Sequence, residues 1–304
     1  MKIQTKDFFN FFKQKPSNFF INKIKKFNLH YKKIELKEKK IIIQSINDHI
    51  KNLKKTKITS KYLKKWDSGW KENYLKFLKS RKENSLIPKY FYKSNIIRIN
   101  GEFYKSISKN FDNRILNLIN THVFETYFKN NRKPIVEFGC GTGSNLLLLR
   151  KINKESILIG LDWSRYSQKI LNNFKNDNIF GYNFNYFKPS FDKRIKTKPN
   201  EWSCYTVASL EQVGKKYINF INFLKMKKPS IILNIEPINE LLNSKNINDN
   251  LSIRYAKKRN YLDGYYNYLL KLEKKKIIKI LKVCKSYFGS KYINGYSLIV
   301  WKFI

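Results

Sequence analysis

The chain predicts an α/β fold: a mostly parallel sheet with helices on both faces, preceded by a mainly helical region. Three observations predict it. From Pro134 onward, short β-rich apolar runs alternate with helical segments, as in a parallel sheet built from strand–helix units. Within Ile135-Val136-Glu137-Phe138-Gly139-Cys140-Gly141-Thr142-Gly143, an apolar run breaks into three alternating glycines and then gives way to Ser144-Asn145-Leu146-Leu147-Leu148-Leu149. That order reads as strand, tight turn and helix. Hydrophobic residues make up 42% of the 304 positions, enough to bury a core.

Residues 1–130 contain no glycine-rich loop and read as helices separated by polar breaks at Lys15-Pro16-Ser17-Asn18 and Ile87-Pro88-Lys89. Between these, Trp66-Asp67-Ser68-Gly69-Trp70 reads as a turn flanked by large aromatics. Packing of the accessory region onto the main domain is the first explanation for the two tryptophans, and a stacking platform for a sugar or base is the second. Phe111, Ile115, Leu118, Ile119, Val123 and Tyr127 recur at near-helical spacing, which predicts a helix over 110–129. Residues 130–134 then connect it to the first strand, so the division falls at 1–130 and 131–304.

In the second part, strands are expected at Ile135–Phe138, Ile157–Asp162, Ile179–Phe184, Tyr205–Ser209, Ser230–Ile235, Ile277–Val283 and Ser297–Phe303. An insertion covers 239–260, a helix follows over 261–272, and the last two strands form a hairpin at the sheet edge. In open α/β sheets a ligand lies outside the carboxyl ends of the strands. Glycines in the first turn let a ligand lie against bare backbone, and the next helix offers unpaired N–H groups. Asp162 ends the second strand 23 residues after Gly139, near the spacing at which a carboxylate meets ribose hydroxyls. Its competing role is to cap the helix that begins near Ser164.

The Gly-x-Gly-x-Gly spacing differs from the dinucleotide fingerprint, whose third glycine comes three residues after the second. With Glu137 two residues before Gly139, it resembles motif I of the class I S-adenosylmethionine-dependent methyltransferases. The resemblance covers roughly residues 134–304 and is strongest at motif I. It implies a Rossmann-like sheet of seven strands, S-adenosylmethionine as cofactor and methyl transfer as the reaction. It also implies cofactor contacts from Glu137, Gly139, Cys140, Gly141, Gly143, Asp162, Trp163 and Ser209. Asn183 and Asn185 stand where the family often has an aspartate for the adenine amino group.

Glu211 and Glu236, at the ends of the fourth and fifth strands, are the candidate catalytic acids, able to orient or deprotonate an acceptor hydroxyl. All three histidines (His30, His49, His122) precede the glycine turn. The Asn/Asp-Pro-Pro-aromatic motif of base-amino methylation is absent, as is a Pro-Cys nucleophile. The loops at Leu210-Glu211-Gln212 and Ile235-Glu236-Pro237 resemble those of methyltransferases of surface-polysaccharide pathways. Together these readings imply a small-molecule acceptor, a hydroxyl of a sugar or glycan precursor.

The net charge of +41 points to nucleic acid as an alternative acceptor, with RNA methylation as the second reading. Only nine of the 63 basic residues are arginine, however, and the lysines spread along the whole chain. With Asn, Ile, Phe and Tyr abundant, that pattern fits A/T-rich codon drift better than selected nucleic-acid binding. A third reading is a non-catalytic scaffold, which predicts a damaged cofactor site. Cys140, Cys204 and Cys284 are far apart and suggest neither zinc nor disulfides. No apolar run reaches the 18 or so residues of a membrane span, and the stretch from Phe8 to Phe12 is too short and interrupted for an export signal. A cytoplasmic location is therefore expected.

Overall fold

The computed structural model describes residues 1–8, 15–56, 60–174, 176–286 and 288–304. Most of the aromatic stretch that starts at Phe8 lies outside them. Among the described residues, nine α-helices and eleven strands follow in this order. The first part holds α1 (Asn18–Phe27), β1 (Tyr31–Lys33), α2 (Leu36–Asn52), α3 (Ser60–Ser80), β2 (Ile96–Ile99), β3 (Glu102–Ser106) and α4 (Phe111–Phe128). The second holds β4 (Ile135–Phe138), α5 (Ser144–Ile152), β5 (Leu158–Asp162), α6 (Arg165–Leu171), β6 (Ile179–Asn183), β7 (Ser203–Val207) and α7 (Tyr217–Lys227). It ends with β8 (Ile232–Glu236), α8 (Ile247–Arg259), α9 (Tyr265–Lys274), β9 (Ile278–Cys284), β10 (Phe288–Ser290) and β11 (Ser297–Phe303).

Seven strands form one sheet in the order β6-β5-β4-β7-β8-β11-β9. The pairs from β6 through β8 are parallel, and β11 runs antiparallel to both neighbours. All seven expected strands are present, with shifts of a few residues at their ends. Order reverses between β4 and β7, which places the ligand crevice at the carboxyl ends of β4, β5 and β7.

Strand alternation sends successive side chains to opposite faces. Ile135, Tyr205, Leu233 and Ile235 join the core under α4, α5 and α6, whereas Val136, Phe138, Cys204 and Ile232 join the core under α7 and α9. One polar knot lies in the second core. Asn234 Oδ1 accepts from Tyr265 Oη at 2.7 Å and from Trp301 Nε1 at 2.8 Å, while Asn234 Nδ2 donates to Thr206 Oγ1 at 3.1 Å.

The remaining four strands make a smaller sheet, β1-β3-β2-β10. Reading residues 1–130 as mostly helix did not contain β1–β3. Nor did the expected hairpin connection contain β10, which leaves the β9–β11 link to pair with β2. Buried Arg98 holds this junction: its Nη1 donates to Asn248 O at 2.7 Å and Ser252 Oγ at 2.8 Å, its Nη2 to Lys291 O at 3.1 Å, and its guanidinium lies over Phe103.

One expectation for a single element is corrected. Residues 66–70 are not a turn but the middle of α3, because packing against the main domain outweighs the helix penalty of one glycine. The insertion at 239–260 contains a helix, α8, capped by Asn246, whose side chain accepts from Asp249 N. No helix among the described residues is long and apolar enough to cross a membrane.

Asn234→Leu would strand two buried donors, the Tyr265 hydroxyl and the Trp301 indole N–H. It is expected to lower the unfolding free energy by about 2–4 kcal/mol in urea titrations followed by circular dichroism.

Candidate functional site

The strand β4 ends in the glycine turn, which is pinned from below. Gly139 N and Cys140 N both donate to Leu161 O, at 2.7 and 3.0 Å, so the turn is fastened to the end of β5. Gly139 has φ +70°, and a Cβ there would collide with Ser209 and come within 3.2 Å of Tyr186 Oη. Gly141 has φ +53°, and a Cβ there would lie 3.1 Å from Trp70. Both positions therefore require glycine for conformation and for close approach. Gly143 is the N-cap of α5 and packs under Leu171 and Phe174.

Asp162 is 6% exposed. Its Oδ2 accepts from Gly141 N and its Oδ1 from Ser164 N, both at 2.9 Å. Burial pushes its pKa up to about 6, although the bonds from Ser164, Gly141 and Ser167 favour the charged form. Ser164 itself caps α6, with Tyr166 N donating to its hydroxyl, so capping is not the task of Asp162.

These elements line a cleft of about 810 Å³, within the usual size of small-molecule sites. Of the residues picked out in the sequence, Gly139, Cys140, Gly141, Asp162, Trp163, Asn185 and Ser209 lie in its wall. Glu137, Gly143, Asn183, Glu211 and Glu236 do not. Asn183 donates to Trp163 O at 2.9 Å and so orients the tryptophan's backbone. Glu137 lies beneath the turn, accepting from Asn145 Nδ2 at 2.8 Å and Tyr205 Oη at 3.1 Å. Burial pushes its pKa up to about 8.

The pair of candidate catalytic acids is placed differently from the sequence expectation. Glu236 is fully buried and accepts the backbone N–H groups of Ser209, Leu210 and Glu211 at 3.1–3.2 Å. It is the acceptor that shapes the loop after β7. Glu211 is 5% exposed, with Oε1 accepting from Gln212 Nε2 at 2.6 Å and Oε2 without a hydrogen-bond partner among the described residues. Burial raises both acids above the ordinary carboxylate range, and for Glu211 the charge of Glu236 raises it further.

Several cleft residues escaped the sequence reading. Tyr186 Oη meets Ser209 Oγ at 3.1 Å, and Ser209 Oγ in turn donates to Phe138 O at 2.9 Å. Trp66 and Trp70, one helical turn apart with ring centroids 5.7 Å from each other, bring α3 over the glycine turn. The sequence had singled out both tryptophans as packing residues; that they share a helix face is what it missed, and their i, i+4 spacing was the available signal. Ser164 Oγ donates to Asp67 Oδ1 at 2.6 Å, a second link from α3 to this edge of the sheet. Gln212, Tyr90 and six asparagines (22, 84, 110, 113, 117 and 120) add to the polar part of the wall. No histidine lines the cleft among the described residues; His122 is buried in α4 against Phe20, and burial lowers its pKa to about 4.

Seven strands with a reversal beside the first, a single antiparallel strand and a glycine turn at the switch point decide the fold. The chain has a Rossmann-like α/β fold. No protein-family model and no curated protein sequence matches it. Solved structures similar to it include the mitomycin 7-O-methyltransferase MmcR, at 10% identity and a TM-score of 0.45, covering 64% of this chain and 56% of that one. A SAM-dependent methyltransferase from Aquifex aeolicus is 14% identical with a TM-score of 0.40, covering 60% of this chain and 88% of that one. A small RNA methyltransferase is 16% identical with a TM-score of 0.45, covering 61% and 25%. The chain thus spans a little over half of the first of these and a quarter of the third.

The raised pKa of Glu211 carries a sign that can be measured. Folded protein holds this proton above the ordinary value of 4.5, so folding takes up a proton as pH rises through that range. Its contribution to stability therefore falls from about pH 4.5 through neutrality. Glu211→Gln, which keeps an acceptor for Gln212, is expected to gain thermal stability relative to wild type on going from about pH 5 to about pH 8. Melting curves of both proteins at the two pH values check this.

Proposed function

We propose that this protein is an S-adenosylmethionine-dependent methyltransferase whose acceptor is a hydroxyl of a small polar molecule, a sugar or glycan precursor. The observation that carries the cofactor assignment is the cradle at Gly139–Gly141. Gly139 and Gly141 hold a tight turn in the cleft wall, packed against Ser209 and Trp70 with no side chains of their own, and buried Asp162 stands beside it. When bound, the cofactor supplies an electrophilic methyl group on a sulfonium.

The chain's own residues fit that group in named roles. Asp162 retains acceptor capacity toward a ribose diol beyond the two backbone N–H groups it already binds. Trp163 and Asn185 lie in the wall where the adenine would be held, and Tyr186 with Ser209 forms the floor toward the loop after β7. Aromatic faces at Trp66 and Trp70 suit a cation or a flat ring. Gln212 faces the acceptor side, and its amide is set by Glu211 behind it. Glu211 and Glu236 act as positioning residues for this loop. Rate enhancement then rests on holding the acceptor atom and methyl group in line.

Support for a sugar acceptor comes from the lining. Six asparagine amides both donate and accept, as hydroxyl-rich ligands require, and Tyr90 and Tyr92 expose their rings beside them. The RNA reading keeps one observation in its favour, the charge of +41. Salt separates the two, because RNA affinity falls steeply with ionic strength while that of a neutral acceptor does not.

Calorimetric titration with S-adenosylmethionine and S-adenosylhomocysteine is expected to show micromolar binding by wild type. Asp162→Ala, checked for folding by circular dichroism, is expected to bind at least about tenfold more weakly, equivalent to about 1.4 kcal/mol. Well-folded wild type that binds neither compound would refute the enzyme reading.

A further inference from the structure

The cleft does not stop at the cofactor cradle. It continues along α5 between α1 and α4, where Lys23, Lys26, Arg114 and Lys151 line it. We propose that this end is an anion subsite for the phosphate of a phosphorylated or diphosphate-linked sugar acceptor. The inference rests on the methyltransferase reading for the identity of the neighbouring site, but the subsite itself is argued from its own residues.

The α1 wall is held firmly on α4. Ser17 Oγ donates to Glu125 at 2.7 Å, Lys23 Nζ donates to Thr121 Oγ1 at 2.9 Å, and Arg114 Nη1 donates to the carbonyl of Phe27 at 2.9 Å. These bonds anchor both ends and the middle of α1, so the basic groups are presented on a built surface. Among the described residues lining this end, four cations face a single acid, Glu83, which is paired with Lys151 at 2.6 Å.

Lys23 is the informative one. It is half-buried, and its ammonium lies over the rings of Phe19 and Phe27, 5.5 and 5.8 Å from their centroids, and bonds to a neutral hydroxyl. Burial, and then the charge of Lys151, lower its pKa to about 7. An anion between Lys23 and Lys151 would offset their mutual repulsion and favour the charged form of each. Asn113 and Asn117 on α4 line the same cleft and offer amide groups to sugar hydroxyls. Lys151 is seven residues beyond Ser144 on α5, which is about 10 Å along the helix axis. Phosphate and methyl-receiving hydroxyl would therefore sit at opposite ends of one acceptor.

Inorganic pyrophosphate is the probe, titrated by calorimetry into wild type with and without saturating S-adenosylhomocysteine at physiological ionic strength. Variants Lys23→Met and Lys26→Gln are compared with Lys32→Gln and Lys33→Gln, which remove the same charge at exposed positions on β1. The expected result is binding that persists in the presence of S-adenosylhomocysteine. It should weaken by about tenfold in Lys23→Met and change less than about twofold in the β1 controls. Lys26→Gln, exposed and free of folding consequences, should weaken it in the same direction. Equal losses in all four variants would show a general surface-charge effect and overturn the subsite. Displacement of pyrophosphate by S-adenosylhomocysteine would also overturn it, giving these cations to the cofactor carboxylate. So would an RNA oligonucleotide that competes with pyrophosphate, binds more tightly and is equally sensitive to Lys23→Met. Pyrophosphate binding in a protein that fails to bind S-adenosylhomocysteine would leave the subsite standing and remove the methyltransferase reading, so the two failures are distinguishable.

Discussion

The carboxyl edge of the sheet depends on buried carboxylates that take the place of water for loop groups. Glu236 accepts three consecutive N–H groups after β7, and Glu137 accepts from Asn145 and Tyr205 under the glycine turn. An unpaired buried donor is costly, so these acids determine where the two loops can sit. Ser209, placed by Glu236, then reaches Phe138 O and Tyr186, and only a glycine at 139 leaves room for it. The cradle is thus a consequence of acids that never touch it.

The cleft also needs the first part of the chain. α3 lays Trp70 on Gly141, and α1 is fastened to α4 along its length. Without these walls the switch point would be an open notch at the sheet edge. The smaller sheet links the two parts of the chain again, since β10 comes from the β9–β11 connection and Arg98 joins β2 to α8 and the loop after β10.

Charge is distributed in a consistent way. Acids are few, 22 against 63 basic residues, and four of them (Glu137, Asp162, Glu211 and Glu236) are buried at the carboxyl edge. Each has its pKa raised, with burial as the main cause. The outer end of the cleft is left to lysine and arginine. A cavity that is polar and carboxylate-supported at the cradle and cationic at the far end has a direction, and a ligand that spans it would have one too.

The sequence alone determined the sheet. Short apolar runs bounded by turns and a Gly-x-Gly-x-Gly break are local properties, and the seven strands, the turn and Asp162 are where local rules put them. What local rules could not settle was which face or partner a residue would meet. Glu211 and Glu236 sit after strand ends, yet one is turned behind Gln212, whose amide it accepts, and the other lies beneath the loop, where three backbone N–H groups claim its oxygens. Residues 66–70 have turn chemistry but form helix, because tertiary packing of two tryptophans exceeds the penalty of Gly69. β2 and β3 form a local hairpin whose Asn100-Gly101 turn was a legible signal, whereas β1 and β10 have three residues each and exist because they pair with β3 and β2 across the chain. Tertiary structure decided the contacts, since a buried polar group is placed by the donors and acceptors that surround it, and those come from everywhere in the sequence.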